Sequence, residues 1–120
     1  FVLPLVFLAA SANAQSVKLS ADEIEILLTG NTAVWQSGEA TYRQYFGADG
    51  QTVFTRNGAE TVDGDWRVDA AAQEAQTRWP NDESWTGVYV MEYAGDWYWV
   101  SRETPPTPFS MLEGEQLIAE

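Results

Sequence analysis

The sequence predicts a mainly β fold, either a small antiparallel β-barrel or a strongly curved meander, with one short N-terminal helix. From Gly30 onward, turn signals recur roughly every 8–12 residues, as they do in antiparallel meanders. The chain of 120 residues contains six Trp, five Tyr and five Phe, and aromatic residues favour strands. Helical spacing is clear in one stretch near the start. An open α+β roll is the alternative architecture.

The first residues have the pattern of a secretory signal peptide. Residues 1–10 are uncharged and nearly all apolar, and Ala12 and Ala14 form an A-x-A cleavage site before Gln15. The apolar run is too short to span a bilayer, which takes about 20 residues. Because a start Met and a basic n-region are missing, we expect the sequence to begin inside the signal. An apolar first strand or core helix is the alternative, which Pro4 disfavours.

Residues 15–120 are then expected to form a single exported domain, either periplasmic or secreted. Their length suits one domain, and a chain of roughly 100 residues can fold without disulfides or structural metal ions. The sequence contains no Cys, so disulfides are excluded. No later segment is apolar for long enough to cross a bilayer. We therefore expect no membrane insertion after signal removal, and a monomer.

One short amphipathic helix is predicted over residues 21–29. Ser20 and Glu23 form a capping box, in which each side chain reaches the other residue's backbone. Gly30 supplies the C-terminal stop. The apolar residues of this stretch share one helical face: Ile24, Leu27 and Leu28. This single apolar stripe is enough to cover one end of a sheet or barrel.

Seven or eight short strands are predicted after the helix. They are rich in aromatic and β-branched residues, and their approximate bounds are 32–35, 41–46, 51–56, 65–68, 75–79, 85–93, 97–102 and 109–112. Turn signals separate them at 48–50, Asn57-Gly58, Asp63-Gly64 and Ala94-Gly95-Asp96. A compact meander of this kind can close into a barrel.

Three segments are harder to place. Residues 15–19 are expected to be a short lead before the helix. Residues 70–75 have helical propensity, but their position within the meander favours an irregular loop that leads into the next strand. Residues 105–108 contain three Pro, which cannot donate to a ladder, so this segment is expected to be a loop or an edge crossing.

The composition excludes several function classes. The chain has neither His nor Cys, which removes most zinc sites, thiol chemistry and every His-dependent triad. Its formal net charge is −12, and so acidic a surface repels nucleic acids and anionic lipids. We therefore expect no metal site, no cofactor and no nucleic-acid partner.

Carboxylates are the remaining catalytic candidates. Glu92, Asp96 and Glu103 could perform glycosidase-type chemistry without His. With 18 acidic residues in the chain, however, pairs are expected by chance, and no spacing fixes their separation. Asp65 and Asp69 would lie ~13 Å apart along a strand, too far to share one metal ion. An enzyme is therefore less favoured than a binding domain.

Aromatic side chains on neighbouring strands are the most suggestive functional feature. Trp97 and Trp99 share one face of a predicted strand, and Tyr89 and Tyr93 share a face of the strand before it. Tyr42 lies on an earlier strand. In a small barrel one aromatic set forms the core, and an uncovered second set could hold a sugar or an apolar ligand. Ordinary packing under the helix is the alternative for both sets.

These five residues are the predicted ligand-binding residues: Trp97, Trp99, Tyr89, Tyr93 and Tyr42. The leading hypothesis is an exported, non-enzymatic domain that binds an unidentified small ligand or a protein partner through an aromatic face. Two alternatives remain open. One is a glycosidase-like hydrolase that uses carboxylates alone, and the other is an envelope-associated structural protein.

Several motifs also occur in a familiar order over residues 19–93. They are LSADEIEILLTGNT, YRQYFGADGQT, GDWRVD, a strand ending in RWP, and WTGVY. In this order they resemble a group of small exported bacterial proteins of unknown function, which have an N-terminal helix and a compact β domain. The resemblance implies export and that fold, but no activity.

The resembled proteins usually contain one Cys pair, which this chain lacks. The matching positions are approximately Gln76 and Val88. Loss of both cysteines together is expected if they formed one disulfide, because a single remaining Cys would be an unpaired thiol in an oxidising compartment. The resemblance therefore implies that the strands carrying Gln76 and Val88 lie side by side.

Overall fold

The computed structural model describes residues 15–118, which form an eight-stranded antiparallel barrel with one short helix. The predicted mainly β fold class is confirmed, and the barrel is the form it takes. The predicted signal peptide, residues 1–14, lies outside the described residues. The elements in chain order are β1 (Ser16–Lys18), α1 (Ala21–Leu28), β2 (Asn31–Ser37), β3 (Ala40–Phe46), β4 (Gln51–Arg56), β5 (Thr61–Asp69), β6 (Glu74–Arg78), β7 (Thr86–Tyr93), β8 (Asp96–Val100) and β9 (Thr107–Glu113).

The barrel has the simplest possible topology. From β2 to β9, each strand pairs antiparallel with the next strand in sequence, and β9 pairs with β2 to close the sheet. Two connections contain consecutive residues with positive φ, Asn57-Gly58 and Ala94-Gly95. Tight hairpin turns require this geometry because it matches the twist of the flanking strands. Residues 70–73 form an irregular turn before β6, as predicted.

β1 is a strand where the sequence indicates only a short lead. Its three residues pair with Met91, Glu92 and Tyr93 of β7. The same edge of β7 pairs with β6 only between Thr86 and Val88, so the second half of that edge is available. β1 therefore pairs with the part of this β7 edge that β6 does not reach.

The predicted helix and both of its ends are confirmed. The Glu23 backbone N–H donates to Ser20 Oγ at 3.2 Å, and the Ser20 backbone N–H donates to Glu23 Oε1 at 2.8 Å. Gly30 has a φ of +79° just after the helix. Ile24 and Leu28 are fully buried, and the helix contacts β2, β5 and β6. Its apolar stripe therefore covers one end of the barrel.

The core lies under this helix. Large apolar side chains from α1, from the barrel strands and from the residue before the helix cap pack together at this end: Leu19, Ile24, Leu28, Phe46, Trp66, Val90 and Phe109. The rings of Phe46 and Trp66 meet edge to face, with their centroids 5.1 Å apart. Trp66 Nε1 donates to the Gly47 carbonyl oxygen at 2.8 Å. The one polar atom of this buried indole is thus satisfied within the core.

The predicted turn at Asp63-Gly64 is wrong, because both residues lie inside β5. Gly64 pairs with Thr52 of β4. A Cβ atom at Gly64 would lie 2.5 Å from Cε3 of Trp79 and 2.9 Å from the Arg78 carbonyl oxygen. Glycine is present here because an aromatic ring crosses the strand at this point, and not because the chain turns.

The expectation that residues 105–108 stay outside the ladder is wrong for the last two of them. β9 begins at Thr107, and Pro108 is the register partner of Tyr98 on β8. Pairing between β9 and β2 starts only at Ser110. At Pro108, β9 therefore has a neighbouring strand on one side only, which is where a residue without an N–H is tolerated.

The strands that carry Gln76 and Val88 lie side by side, as the resemblance implies. In the register, however, Gln76 pairs with Gly87 and Val88 pairs with Ala75. Gln76 Oε1 accepts from Arg67 Nε on the outside of the barrel, whereas Val88 faces the interior. Side chains at positions 76 and 88 therefore lie on opposite faces of the sheet, so cysteines at these two positions could not be joined directly.

Trp66→Phe should lower the free energy of unfolding by about 2 kcal/mol. The change removes the donor to the buried Gly47 carbonyl and leaves a small void. Urea denaturation followed by circular dichroism measures the loss. The matched control is Trp85→Phe on the outer face, where the ring lies against Arg67 and Arg78 and the expected loss is below about 1 kcal/mol. Equal losses in the two variants would contradict this account of Trp66.

Candidate ligand-binding cavity

A cavity of about 240 Å³ occupies the half of the barrel that lies away from α1. Inward-facing side chains from six strands form its wall: Trp35, Gln44, Phe46, Ala75, Thr77, Thr86, Val88, Trp99 and Thr107. Phe46 and Ala75 also belong to the core, so they form the floor of the cavity. Inward-facing strand positions carry large side chains that fill the helix end, but the inward-facing side chains at this end leave it open.

The wall is apolar with a few uncharged polar groups. Five of its nine residues are apolar and the other four are Thr or Gln. Gln44 is held by neighbours, because its Nε2 donates to Thr52 Oγ1 at 2.9 Å and Thr52 Oγ1 donates to the Tyr45 carbonyl at 2.7 Å. Such a wall suits a mostly apolar ligand with little or no charge.

Four aromatic rings form a continuous row along one side of the mouth. The row, called here the aromatic row, consists of Trp35, Tyr42, Phe54 and Trp79. Successive centroids are 5.8, 5.4 and 5.9 Å apart, and the first two pairs are stacked. All four side chains are half-buried. The row passes over β5 at Gly64, which has no side chain to obstruct the Trp79 ring.

Neighbouring aromatic rings pack around Trp99 in the cavity wall. Its ring stacks on Phe109 with centroids 3.9 Å apart, and its centroid lies 5.8 Å from that of Trp35 in an edge-to-face arrangement. Phe46 lies 6.2 Å away on a third side. The Nε1 atom is buried and makes no hydrogen bond to any described residue. Trp99 is therefore a fixed indole whose donor is unused.

A cleft adjoins the cavity on the outside of the barrel. β8 pairs with β7 only from Tyr89 to Tyr93 and ends at Val100. Over the described residues, the stretch from Thr86 to Val88 thus has no partner strand on that side. A cleft of about 440 Å³ lies there, and Thr86 and Val88 line both the cleft and the cavity. The gap places the cavity next to a second opening in the barrel wall.

The five predicted ligand-binding residues do not form one site. Trp99 is in the cavity wall and Tyr42 is in the aromatic row. Trp97 also points inward, but it packs on Phe109 toward the helix end and is not in the wall. Tyr89 and Tyr93 lie on the outer face, where the Tyr89 ring contacts Lys18 Nζ at 4.0 Å. The structure thus brings two of the five residues to the cavity and its mouth.

Tyr93 is part of an apolar patch on the outside of the barrel. Its 44% exposed side chain lies near other residues from β7, β8 and the following loop: Met91, Tyr98, Val100 and Pro106. The sequence predicts two aromatic faces of which one forms the core, and this patch is the other face. It is separate from the cavity.

Sequence reasoning missed three residues of the aromatic row and Gln44. Trp35 and Tyr42 are register partners across the two-residue turn at Gly38-Glu39, and neither N-G nor D-G marks this turn. Counting outward from this turn would have paired the two rings. Phe54 could then have been added from the next hairpin, since it pairs with Gln44.

The candidate catalytic carboxylates are not part of the cavity wall. Glu92, Asp96 and Glu103 are all exposed, and none of them lines the cavity. Glu103 lines the outer cleft together with Glu74, where Glu74 accepts a hydrogen bond from Gln76 Nε2 at 2.9 Å. Across residues 15–118, no three acidic side chains are grouped so that they could hold a metal ion.

Comparisons with known proteins leave the barrel without an assigned relative. No protein-family model, curated protein sequence or solved structure matches the chain. Within the part of the chain that the structure describes, no helix has the length and apolar character needed to cross a membrane. The site is therefore interpreted from its own geometry.

Gly64→Ala should destabilise the barrel by about 1–3 kcal/mol, because the added methyl group displaces the Trp79 ring from the aromatic row. Chemical denaturation of Gly64→Ala, Trp79→Ala and the double variant measures the coupling between the two sites. In the Trp79→Ala background, the glycine substitution should cost clearly less. Additive losses would show that the ring does not require the glycine.

Proposed function

We propose that the protein is an exported, non-enzymatic domain that binds a small, uncharged and mostly apolar ligand in the barrel cavity. The observation that carries this proposal is the asymmetry of the barrel interior. One end is filled by α1 and large side chains, whereas the other end is a cavity of about 240 Å³, to whose wall the described part of the chain contributes no charged residue. The signal-like residues 1–14 support export.

The cavity volume limits the size of the ligand. An apolar cavity of ~150 Å³ can hold benzene, so the volume found here suits a ligand of roughly eight to twelve non-hydrogen atoms. Burial of roughly 150 Å² of apolar ligand surface would contribute about 4 kcal/mol before the cost of immobilising the ligand is subtracted, so this contribution alone supports a dissociation constant of about 1 mM or weaker. Contacts with the aromatic row at the mouth would tighten this value.

The cavity gives little support to the carboxylate hydrolase. Glycoside hydrolysis uses two carboxyl groups about 5–9.5 Å apart on either side of the scissile bond. Among residues 15–118, no carboxylate lines the cavity wall. A role as a protein-binding or envelope-associated domain would instead use the outer apolar patch around Tyr93. Because the cavity and the patch are separate surfaces, titration with a small apolar ligand distinguishes these hypotheses.

α-Methylstyrene, a neutral hydrocarbon of nine carbon atoms, should bind saturably with a dissociation constant of roughly 1 mM or below. Trp fluorescence and the indole N–H resonances measure its binding. Thr77→Phe should weaken binding at least about tenfold, because the new ring occupies the cavity from β6. Ser110→Phe, which adds the same ring at an exposed position of β9, is the matched control and should bind normally.

Two results would count against the proposal. Absence of saturable binding to the folded protein would contradict it and favour a partner-binding role for the outer patch. Equal binding by the Thr77→Phe and unmodified proteins would show that the hydrocarbon occupies another surface. Urea denaturation of both variants establishes that they are folded under the titration conditions.

A further inference from the structure

We propose that the ligand is a neutral hydroxyl compound, a phenol or an alcohol, whose O–H group donates to the side-chain oxygen of Gln44. This inference rests on the proposed function, since it concerns the same cavity. It narrows the ligand class from small, mostly apolar molecules to those in which one hydroxyl group is joined to a ring or a short hydrocarbon frame.

The orientation of the Gln44 amide is determined by its neighbours. The Tyr45 carbonyl oxygen can only accept, so the single hydroxyl proton of Thr52 is donated to it at 2.7 Å. Thr52 Oγ1 must then accept from Gln44, which places Nε2 against it at 2.9 Å. The nitrogen of the amide is thus engaged by Thr52, and the oxygen, Oε1, is the atom that this network leaves over.

The Gln44 oxygen is open to the cavity. Gln44 is only 7% exposed, and its inward side chain lines the cavity. Over the described residues, Trp99 Nε1 is the one enclosed side-chain atom that has neither a hydrogen-bond partner nor accessible surface. Gln44 Oε1 accepts no hydrogen bond from these residues either, so it must retain accessible surface. Because the rest of the side chain is enclosed, this surface faces the cavity.

The wall threonines select less strictly than Gln44. Thr77 and Thr86 are register partners on β6 and β7, and β7 lies four strands from β3, on the opposite side of the barrel from Gln44. A threonine hydroxyl rotates and can either donate or accept, whereas an amide oxygen can only accept. Gln44 is therefore the wall residue that requires a donor on the ligand.

The chemistry of the wall indicates that this donor is a neutral hydroxyl. A hydrocarbon would displace water from Gln44 Oε1 without replacing its hydrogen bond, which is costly for a buried acceptor. An ammonium group could also donate, and the net charge of −12 attracts cations. However, the residues that the structure describes place no carboxylate in the wall. An ammonium ion would therefore lose its hydration without gaining a counter-charge.

Four probes with the same number of non-hydrogen atoms test this inference. They are 4-ethylphenol, which has a hydroxyl donor, its isomer 4-methylanisole, which has only an ether acceptor, the hydrocarbon 4-ethyltoluene, and the cation 4-methylbenzylammonium. Each is titrated by calorimetry into the unmodified protein, Gln44→Met and Thr77→Val. Comparing the variants within each probe cancels the different aqueous solubilities of the probes. The quantity of interest is the affinity for 4-ethylphenol relative to that for 4-ethyltoluene.

Gln44→Met should lower the relative affinity for 4-ethylphenol by about fivefold, the effect of one lost hydrogen bond. Methionine keeps the length of the side chain, and Thr52 keeps its bond to the Tyr45 carbonyl. The relative affinity for 4-methylanisole should change by less than about twofold. Thr77→Val, the matched control, removes a hydroxyl from the same wall and should leave both relative affinities within about twofold. In the unmodified protein, 4-methylbenzylammonium should bind more weakly than 4-ethylphenol.

The carbon-13 resonance of the Gln44 side-chain carbonyl gives a second readout on the unmodified protein. It is assigned through its bonds to the Gln44 backbone. With 4-ethylphenol bound, it should lie downfield of its position with 4-ethyltoluene bound, because accepting a hydrogen bond polarises the carbonyl. The two probes carry the same ring, so ring-current effects cancel in this comparison. The measurement decides the inference even if Gln44→Met does not fold.

The possible failures are distinguishable. If both 4-ethylphenol and 4-ethyltoluene bind and Gln44→Met affects them equally, with no selective carbonyl shift, the hydroxyl inference is overturned and the proposed cavity function stands. An equal loss of 4-methylanisole affinity would show that Gln44 donates to the ligand, and a larger effect of Thr77→Val would assign the hydroxyl to Thr77. Either result overturns the inference. Tighter binding of 4-methylbenzylammonium than of 4-ethylphenol would overturn the neutral character of the ligand. If no probe binds to the folded protein, both the cavity function and this inference fail.

Discussion

Closure of the sheet is the constraint on which the rest of this structure depends. Once β9 pairs with β2, one face of every barrel strand lies inside, and the interior of an eight-stranded barrel is just wide enough for side chains to fill. At the helix end it is filled by Phe46, Trp66 and Phe109 together with α1. At the other end, threonines take inward positions that larger residues could occupy, and a cavity results. The size of the inward side chains therefore decides which end is core and which end is site.

The same closure constrains the backbone. An aromatic ring can cross a strand only where the strand has no side chain, so the position of Trp79 in the aromatic row requires glycine at position 64. Where β8 ends at Val100, the first residues of β7 lose their partner strand, and the outer cleft forms beside the cavity. These are local departures from a regular barrel. Both lie at the open end, which is where functional openings of small barrels are expected.

The sequence predicts the parts of the fold that are encoded locally. The capping box, the strands and the turns with Asn-Gly or Ala-Gly follow from neighbouring residues. Gly64 and Pro108 were misinterpreted because their surroundings depend on pairing between strands. The prediction of the site is incomplete for the same reason. Trp99 and Tyr42 can be selected from the sequence as aromatic strand residues. The register around the closed barrel determines the rest. It places Tyr89 and Tyr93 on the outer face, and it brings Tyr42 together with Trp35, Phe54 and Trp79.

The indole nitrogens of Trp66 and Trp99 show that the two ends of the barrel differ in hydrogen bonding as well as in packing. Trp66 is packed and fully hydrogen-bonded under α1, so its interactions contribute to the folded state alone. Trp99 is held as firmly by Phe109 and Trp35, but its donor is unsatisfied. Rigid packing prevents the protein from removing this cost by rearrangement. The unsatisfied donor therefore costs the cavity end about 1–3 kcal/mol, and the helix end contributes more to the stability of the fold.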